Sequence, residues 1–208
     1  MRVQPQENQH TILDAIPTKI KGEISIIQHN TGKREEIQQS LLEIAAKRKG
    51  DIIALQEPHA WKNKTTNKYS TITHSMYEVI LPSNPYIRPR VALYIRKATL
   101  FQFKIRLDLG ENTDFLAVEF YSPTERFLLF NLYNEKELRH DSKTQRSGRS
   151  TIQRSILNLN PDLPFILLGD FNRHHIWWNS QATKKTHKKE TENLVSWLQS
   201  HDCQLLNE

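Results

Sequence analysis

One short stretch, Phe165 to Trp178, constrains the fold of this chain more than any other. It reads FILLGDFNRHHIWW, and its first part, Phe165 to Gly169, is an apolar run typical of a buried strand. Asp170 and Asn172 follow at once, where such a strand ends. Because strand ends in layered α/β domains are where side chains leave the core and meet ligands, these two polar residues predict a functional site.

A second unit, near the beginning of the chain, places further polar residues at strand ends. Residues 24–30 predict a strand, residues 33–49 an amphipathic helix, and residues 51–55 a second strand. Strand–helix–strand units prefer parallel strands, so Asn30 and Glu57 are expected at the same edge of one sheet.

The rest of the chain predicts mostly β-structure, in one domain without internal repeats. Residues 1–21 are interpreted as a loose lead-in, residues 22–208 as the domain, and residues 63–70 as a polar loop. Further strands are expected over residues 77–81, 91–96, 100–107, 115–120, 127–133 and 203–206, and helices over residues 147–157 and 191–200.

Composition narrows the class of protein only slightly. The chain has 29 Lys and Arg against 23 Asp and Glu, and this net charge of +6 favours a polyanionic partner. Cys203 is the single cysteine, so no intramolecular disulfide forms. Neither a secretory signal nor a long apolar run is visible, which predicts an intracellular protein with no membrane span.

The polar residues at the predicted strand ends suit a divalent metal. Asn30, Glu57, Asp170 and Asn172 offer hard oxygen ligands, and Tyr133 ends another predicted strand. Oxygen ligands without thiolates favour Mg²⁺, or Mn²⁺, over zinc. Since Mg²⁺ takes one or two carboxylates and completes its shell with water and substrate phosphate, Glu57 is enough to begin a site for metal-assisted phosphoester cleavage.

Four motifs together resemble a known superfamily. HNTG around Asn30, LQEP around Glu57, NLY at Tyr133 and GDFN at residues 169–172 occur in the order seen in the endonuclease/exonuclease/phosphatase superfamily, the DNase-I-like fold. The continuation RHHIWW more specifically resembles the endonuclease domain of LINE-like (non-LTR) retrotransposons, as does HDCQLLNE at residues 201–208. The resemblance covers about residues 22–208.

This resemblance implies an α/β sandwich of two mixed β-sheets flanked by helices, which cleaves phosphodiesters with a divalent metal. By position, Glu57 would be the main metal ligand, and Asn30 would help hold the metal or its water. Asp170 would orient and deprotonate the attacking water. Asn172 would steady the phosphate, and Tyr133 would contact a phosphate oxygen.

The chain departs from the family pattern in two places. Lys136 stands where many relatives have an asparagine, although it can still bind phosphate as a point charge. The family's closing Asp and Ser-Asp-His motifs would come after Glu208. We therefore expect a domain that lacks its C-terminal strands and has impaired cleavage. The resemblance also implies a longer nuclear protein with a downstream reverse transcriptase domain.

Several residues around GDFN are candidates for DNA contact, with packing or solvent exposure as the alternative. One of Trp177 and Trp178 is expected to pack and the other to stack on a base or sugar. His174 and His175 are interpreted as a structural or DNA-facing pair rather than as a catalytic base. The basic residues that follow GDFN are expected to bind DNA phosphates; they are Arg173, Lys184, Lys185, Lys188 and Lys189.

Other functions and roles remain open from the sequence. Asp170 and Asn172 could simply cap a turn, Glu57 could be a solvated strand end, and Tyr133 could be a packing residue. At the level of function, the alternatives are a non-catalytic nucleic-acid-binding remnant of the same domain and a phosphomonoesterase of the same fold.

Overall fold

Two four-stranded sheets with helices on their outer faces make up the described part of the chain, residues 24–110, 112–135, 150–178 and 188–206 of a computed structural model. The strands are β1 (Ile26–Asn30), β2 (Ile52–Gln56), β3 (Ala60–Lys62), β4 (Tyr69–Thr71), β5 (Tyr77–Ile80), β6 (Val91–Arg96), β7 (Gln102–Ile105), β8 (Phe115–Tyr121), β9 (Arg126–Tyr133) and β10 (Phe165–Asp170). The helices are α1 (Glu35–Lys47) and α2 (Lys188–Ser200), with short helical turns at Leu107–Leu109 and Ile152–Ile156.

Each sheet contains one parallel pair of strands, and these two pairs determine where the site lies. The strand orders are β1-β2-β6-β5 and β10-β9-β8-β7, with β3 and β4 as a separate two-stranded ribbon. β1 runs parallel to β2, with Asn30 beside Gln56, and β10 runs parallel to β9, with Asp170 beside Tyr133. The parallel pairs contact each other across the sandwich, so their carboxyl ends meet at one edge.

Three apolar layers hold the sheets and helices together. The central layer packs side chains of both sheets face to face, among them Leu93 and Leu129. A second layer lies between the outer face of the second sheet and α2, and a third between the first sheet and α1. Removal of this apolar surface from water is the main stabilising contribution. The predicted two-sheet α/β sandwich flanked by helices is confirmed.

A buried polar link crosses the central layer just beneath the site. Gln56 and Asn131 are fully buried, and Gln56 Nε2 donates to Asn131 Oδ1 at 2.6 Å. Asn131 Nδ2 in turn donates to the backbone carbonyls of Leu55 and Ala92. Because buried amides are costly unless they are paired, this link fixes the relative position of β2 and β9.

Gly169 allows the last strand to approach its neighbour closely. Its φ is +144°, and a Cβ atom at this position would lie 2.0 Å from the Leu132 carbonyl oxygen. No side chain fits there, so glycine is required immediately before Asp170.

The structure differs from the predicted elements in three places. Residues 63–70 are not only a polar loop, because β3 and β4 pair at its two ends. Of the helix predicted over residues 147–157, residues 152–156 form a π-helical turn instead of an α-helix, and residues 147–149 lie outside the described residues. Residues 203–206 form no strand, since no described strand pairs with them and Leu206 is exposed. The predicted lead-in, residues 1–21, lies outside the described residues.

Candidate active site

The site begins with a direct contact between the first and last strands. Asn30 Nδ2 donates to Asp170 Oδ2 at 2.8 Å, and Asn30 Oδ1 accepts the backbone N–H of Gly32. These two bonds fix the orientation of the amide, because its nitrogen and its oxygen have different partners. The structure therefore brings together two residues that the sequence predicted at the ends of separate strands.

Backbone and side-chain bonds hold Asp170 and Asn172 in a rigid turn. Asp170 Oδ1 accepts the Asn172 backbone N–H at 3.0 Å, and the Asp170 carbonyl accepts the Asn134 N–H at 2.8 Å. Asn172 Nδ2 donates to the Asn134 carbonyl, and Asn134 Nδ2 to the Phe171 carbonyl. Asn172 has a φ of +47°, which is uncommon for a side-chain-bearing residue and needs such support.

Glu57 occupies a similarly unusual backbone position at the end of β2. Its φ is +47°, its N–H donates to the Arg90 carbonyl, and its carbonyl accepts Thr31 Oγ1 at 2.7 Å and the Lys33 N–H at 2.7 Å. The carboxylate is mostly buried, and its Oε1 lies 3.1 Å from Lys33 Nζ. Glu57 is therefore fixed by its backbone, and its charge is balanced by a lysine.

Tyr133 and Arg90 form the far wall of an open cleft of about 440 Å³. Arg90 Cζ lies 4.2 Å from the centre of the Tyr133 ring, and Arg90 Nη1 lies 2.6 Å from Glu135 Oε1. The cleft is lined by Lys33, Glu57, Ile87, Arg88, Arg90, Tyr133 and Glu135. Four of these residues are cationic or can donate to an anion, so the cleft suits a phosphate group.

The two site carboxylates both act on the Tyr133 phenol. Burial raises the pKa of Tyr133, and the negative charges of Glu57 and Asp170 raise it further. The hydrogen bond from Arg90 and its positive charge act in the opposite direction and lower the pKa of Tyr133. Because the balance raises the pKa, the phenol keeps its proton at neutral pH and can donate to a ligand oxygen.

The oxygen donors at this edge fit a hard divalent cation that keeps much of its water. Glu57 and Asp170 supply the carboxylates, and Asn30 supplies an amide oxygen that already accepts one N–H. Within the described ranges no group of three or more His, Cys, Asp or Glu residues could hold a metal. One or two carboxylates are what Mg²⁺ usually takes from a protein, whereas zinc needs more protein ligands.

The residues predicted to contact DNA divide into three groups. Arg173 differs from the prediction: it is buried, and its Nε and Nη2 both bind Glu190 at 2.7 Å, which ties the loop after β10 to α2. His174 is exposed, as are Lys188 and Lys189 in the first turn of α2. Lys136, Lys184 and Lys185 lie outside the described residues.

Both tryptophans after GDFN pack against the apolar layer beneath α2. Trp177 and Trp178 are partly buried there, and Trp178 Nε1 donates to the Arg173 carbonyl. The His175 ring lies 5.3 Å from the Trp178 ring, while Ile176 between them is 70% exposed. Both rings therefore pack in this structure, and stacking of Trp177 on a base or sugar stays a prediction.

Sequence reasoning missed three residues that shape the site. Asn134 binds Asp170, Phe171 and Asn172, Arg90 supports Tyr133, and Lys33 pairs with Glu57. The sequence feature that could have indicated Asn134 as a site residue is its position directly after Tyr133 at a strand end. Arg90 and Lys33 carried no signal, because each depends on a contact with a distant segment.

Comparisons with known proteins agree with this fold. A family model described as endonuclease-reverse transcriptase matches residues 127–208. The fold is similar to that of the endonuclease domain of TRAS1, a telomere-specific non-LTR retrotransposon, with a TM-score of 0.64 and 18% identity over 89% of this chain and 74% of that one.

A second solved structure, the AP endonuclease LMAP from Leishmania major, has a TM-score of 0.56 and 14% identity over 85% of this chain and 66% of that one. No curated protein matches the sequence. The fold is thus DNase-I-like. Among the described helices, none has the length and apolar character needed to cross a membrane.

Proposed function

We propose that this chain is a DNA endonuclease domain of a retroelement-type protein that hydrolyses phosphodiesters with Mg²⁺, or Mn²⁺ in its place. The observation that carries the proposal is the Asn30–Asp170 hydrogen bond, which joins two predicted catalytic residues beside Glu57 and Tyr133. The match of residues 127–208 to an endonuclease-reverse transcriptase family supports DNA as the substrate and a reverse transcriptase domain in the full-length protein. Such a protein would act in the nucleus.

The proposed roles follow from the contacts of each side chain. Glu57 and Asn30 would hold the metal, which when bound supplies Lewis-acid neutralisation of the phosphate charge. Asp170, kept in place by Asn30 and the Asn172 N–H, would orient a water molecule and accept its proton. Tyr133 would donate its phenol proton in a hydrogen bond to a phosphate oxygen, and Asn172 would steady the same phosphate.

Two observations favour a second candidate, a domain that binds nucleic acid without cleaving it. No histidine among the described residues forms an ion pair with Asp170, although His59 and His74 pair with other carboxylates. Lys33 Nζ also lies 3.1 Å from Glu57 Oε1 and would compete with a metal for that carboxylate. Both features would weaken turnover while leaving the positive charge of the cleft intact.

Nicking of supercoiled plasmid with Mg²⁺ or Mn²⁺, measured beside metal-free DNA binding, separates the two candidates. We expect wild type to nick the plasmid and Asp170→Asn and Glu57→Gln to abolish nicking. Glu78→Gln, which changes an exposed carboxylate on β5, should leave nicking unchanged. Binding without nicking under all metal conditions would favour the second candidate. A chain that neither binds nor nicks DNA would contradict both.

A further inference from the structure

The β3–β4 ribbon projects a basic and aromatic surface that the proposed catalytic roles do not use. Trp61 is 46% exposed and belongs to none of the three apolar layers. Its ring contact is with His59, at 5.7 Å between ring centres. Lys62, Lys64 and Lys68 are all exposed on the same ribbon. An exposed tryptophan among lysines is the combination that binds nucleic acid by stacking and charge.

The turn that joins β3 to β4 is well fixed, so the lysines are presented on an ordered scaffold. Asn63 Oδ1 accepts the N–H groups of Thr65 and Thr66, each at 2.9 Å. The Asn63 N–H donates to the Lys68 carbonyl, and the Asn67 N–H donates to the Asn63 carbonyl. A preordered binding segment loses less conformational entropy when it binds.

A backbone hydrogen bond joins the ribbon to the loop that lines one side of the cleft. The Tyr69 N–H donates to the Pro85 carbonyl at 2.6 Å, which ties the ribbon to the loop of residues 82–89. That loop exposes Tyr86, and its Ile87 and Arg88 line the cleft with Glu57. Arg88 adds a positive charge to the cleft lining, and its Nε is buried without a hydrogen-bond partner among the described residues. The 82–89 loop therefore connects the ribbon to the cleft.

The charge of this part of the chain is strongly one-sided. Glu78 is the one acidic residue between Glu57 and Asp108 in the sequence. No carboxylate of the described ranges forms an ion pair with Lys62, Lys64 or Lys68, in contrast to Lys33 and Lys104. Unpaired lysines on an ordered ribbon release counterions from DNA when they bind phosphate, which favours association.

We propose that the β3–β4 ribbon and the 82–89 loop form a second DNA-binding surface next to the cleft. Lys62, Lys64 and Lys68 bind backbone phosphates, and Trp61 stacks against a sugar or base. This inference rests on the proposed function in that DNA is taken as the ligand. It adds a surface on the Glu57 side of the site, separate from the loop that follows GDFN.

Metal-free binding of a fluorescein-labelled duplex, measured by anisotropy across NaCl concentrations, tests the ribbon directly. We expect the triple variant K62Q/K64Q/K68Q to bind roughly tenfold more weakly and to lower the salt slope by about 0.9 for each phosphate that is no longer neutralised. The matched control is K47Q/K49Q/K97Q. It removes the same charge from exposed lysines at the opposite end of the sheet, where α1 and β6 end, and should bind like wild type.

Trp61 is tested separately, because its contact does not depend on charge. Trp61→Ala should weaken binding roughly tenfold, while Trp61→Phe, which retains a stacking ring, should stay within about threefold of wild type. DNA should quench tryptophan fluorescence less in the Phe variant than in wild type. Circular dichroism melting confirms that each variant is folded.

The outcomes distinguish failure of this inference from failure of the proposed function. If wild type binds DNA and the ribbon and control variants bind equally well, or are weakened equally, the ribbon surface is overturned and the proposed function is not. Wild type that binds no DNA overturns both. Binding that depends on the ribbon in a protein without nicking activity supports this inference and favours the non-cleaving candidate.

Discussion

The Asn30 amide donates to the Asp170 carboxylate across a distance of 2.8 Å, although the two residues are 140 positions apart in the sequence. This bond joins the first sheet to the second at the edge where their parallel strands end. It also orients the Asp170 carboxylate, on which the general-base role that we propose depends.

Asn30→Asp should therefore change the pH dependence of nicking as well as its rate. Two carboxylates at hydrogen-bond distance cannot both ionise easily, so one pKa of the pair rises and the acid limb of the rate profile moves to higher pH. Asn30→Ala should lower nicking roughly tenfold to hundredfold without that pH shift. Asn158→Asp, at an exposed position, is the control that should leave the profile unchanged.

Gly169→Ala should unfold or severely destabilise the protein. The added Cβ would overlap the Leu132 carbonyl at 2.0 Å in a backbone conformation with φ +144°. We expect a loss of about 3 kcal/mol or more in the free energy of unfolding by urea titration. Gly110→Ala is the control for the cost of a positive φ alone, since φ there is +92° and no heavy atom lies within 4 Å of the added Cβ. A similar loss in both variants would contradict the close strand approach.

The buried Gln56–Asn131 pair should be strongly coupled. Asn131→Leu removes the acceptor of Gln56 Nε2 and the amide that donates to the Leu55 and Ala92 carbonyls, which should cost about 3 kcal/mol in urea unfolding. In the double variant with Gln56→Leu the combined loss should be smaller than the sum of the two single losses, because one unpaired amide has been removed. Strict additivity would show that the two amides act independently.

Lys33→Met should strengthen metal binding. Lys33 Nζ lies 3.1 Å from Glu57 Oε1 and competes with a cation for that carboxylate. Half of the lysine side chain is exposed, so the gain should be modest, roughly two- to fivefold in the dissociation constant. Mn²⁺ binding followed by electron paramagnetic resonance without DNA measures this directly, with Lys47→Met as the control. Weaker Mn²⁺ binding in the Lys33 variant would contradict the competition.

Tyr77 should make the protein less stable in alkali. Burial raises the pKa of Tyr77 to about 12, and the phenol donates to the Gly50 carbonyl at 2.9 Å. An unfolded tyrosine ionises near pH 10. Between these values the folded state holds more protons than the unfolded state, so stability falls as pH rises, by up to about 2.7 kcal/mol from this group.

Tyr77→Phe removes this pH dependence at the cost of one hydrogen bond. The variant should be about 1 kcal/mol less stable than wild type at pH 7 and should lose that disadvantage above about pH 11. Thermal melts at matched ionic strength from pH 7 to pH 12 measure the difference. Parallel curves for the two proteins would contradict the raised pKa.

The sequence predicted the parts of the molecule that depend on local patterns. The apolar runs of β2, β6 and β10 and the amphipathic α1 were predicted within one or two residues at most of their ends. Asn30, Glu57, Tyr133 and Asp170 were placed correctly at strand ends, because a polar residue that follows a buried strand has few other positions available.

Long-range contacts set the limit of that prediction. Arg173 looked like a phosphate ligand beside GDFN, but Glu190, on a helix that starts well after it, buries it in an ion pair. The β3–β4 ribbon is too short to give a periodic signal, and its stability depends on pairing across the turn. Neither contact can be inferred from the local spacing of residue types.

The order in which the ribosome makes these strands has a consequence for the activity that we propose. Asn30 and Glu57 leave the ribosome with the first strands, whereas Asp170 ends the last described strand to be synthesised. At about 5–20 residues per second, Asp170 follows on the order of ten seconds later. A nascent chain therefore contains Asn30 and Glu57 before it contains Asp170, and we expect no cleavage of nucleic acid until the strand that ends in Asp170 has been made and has paired.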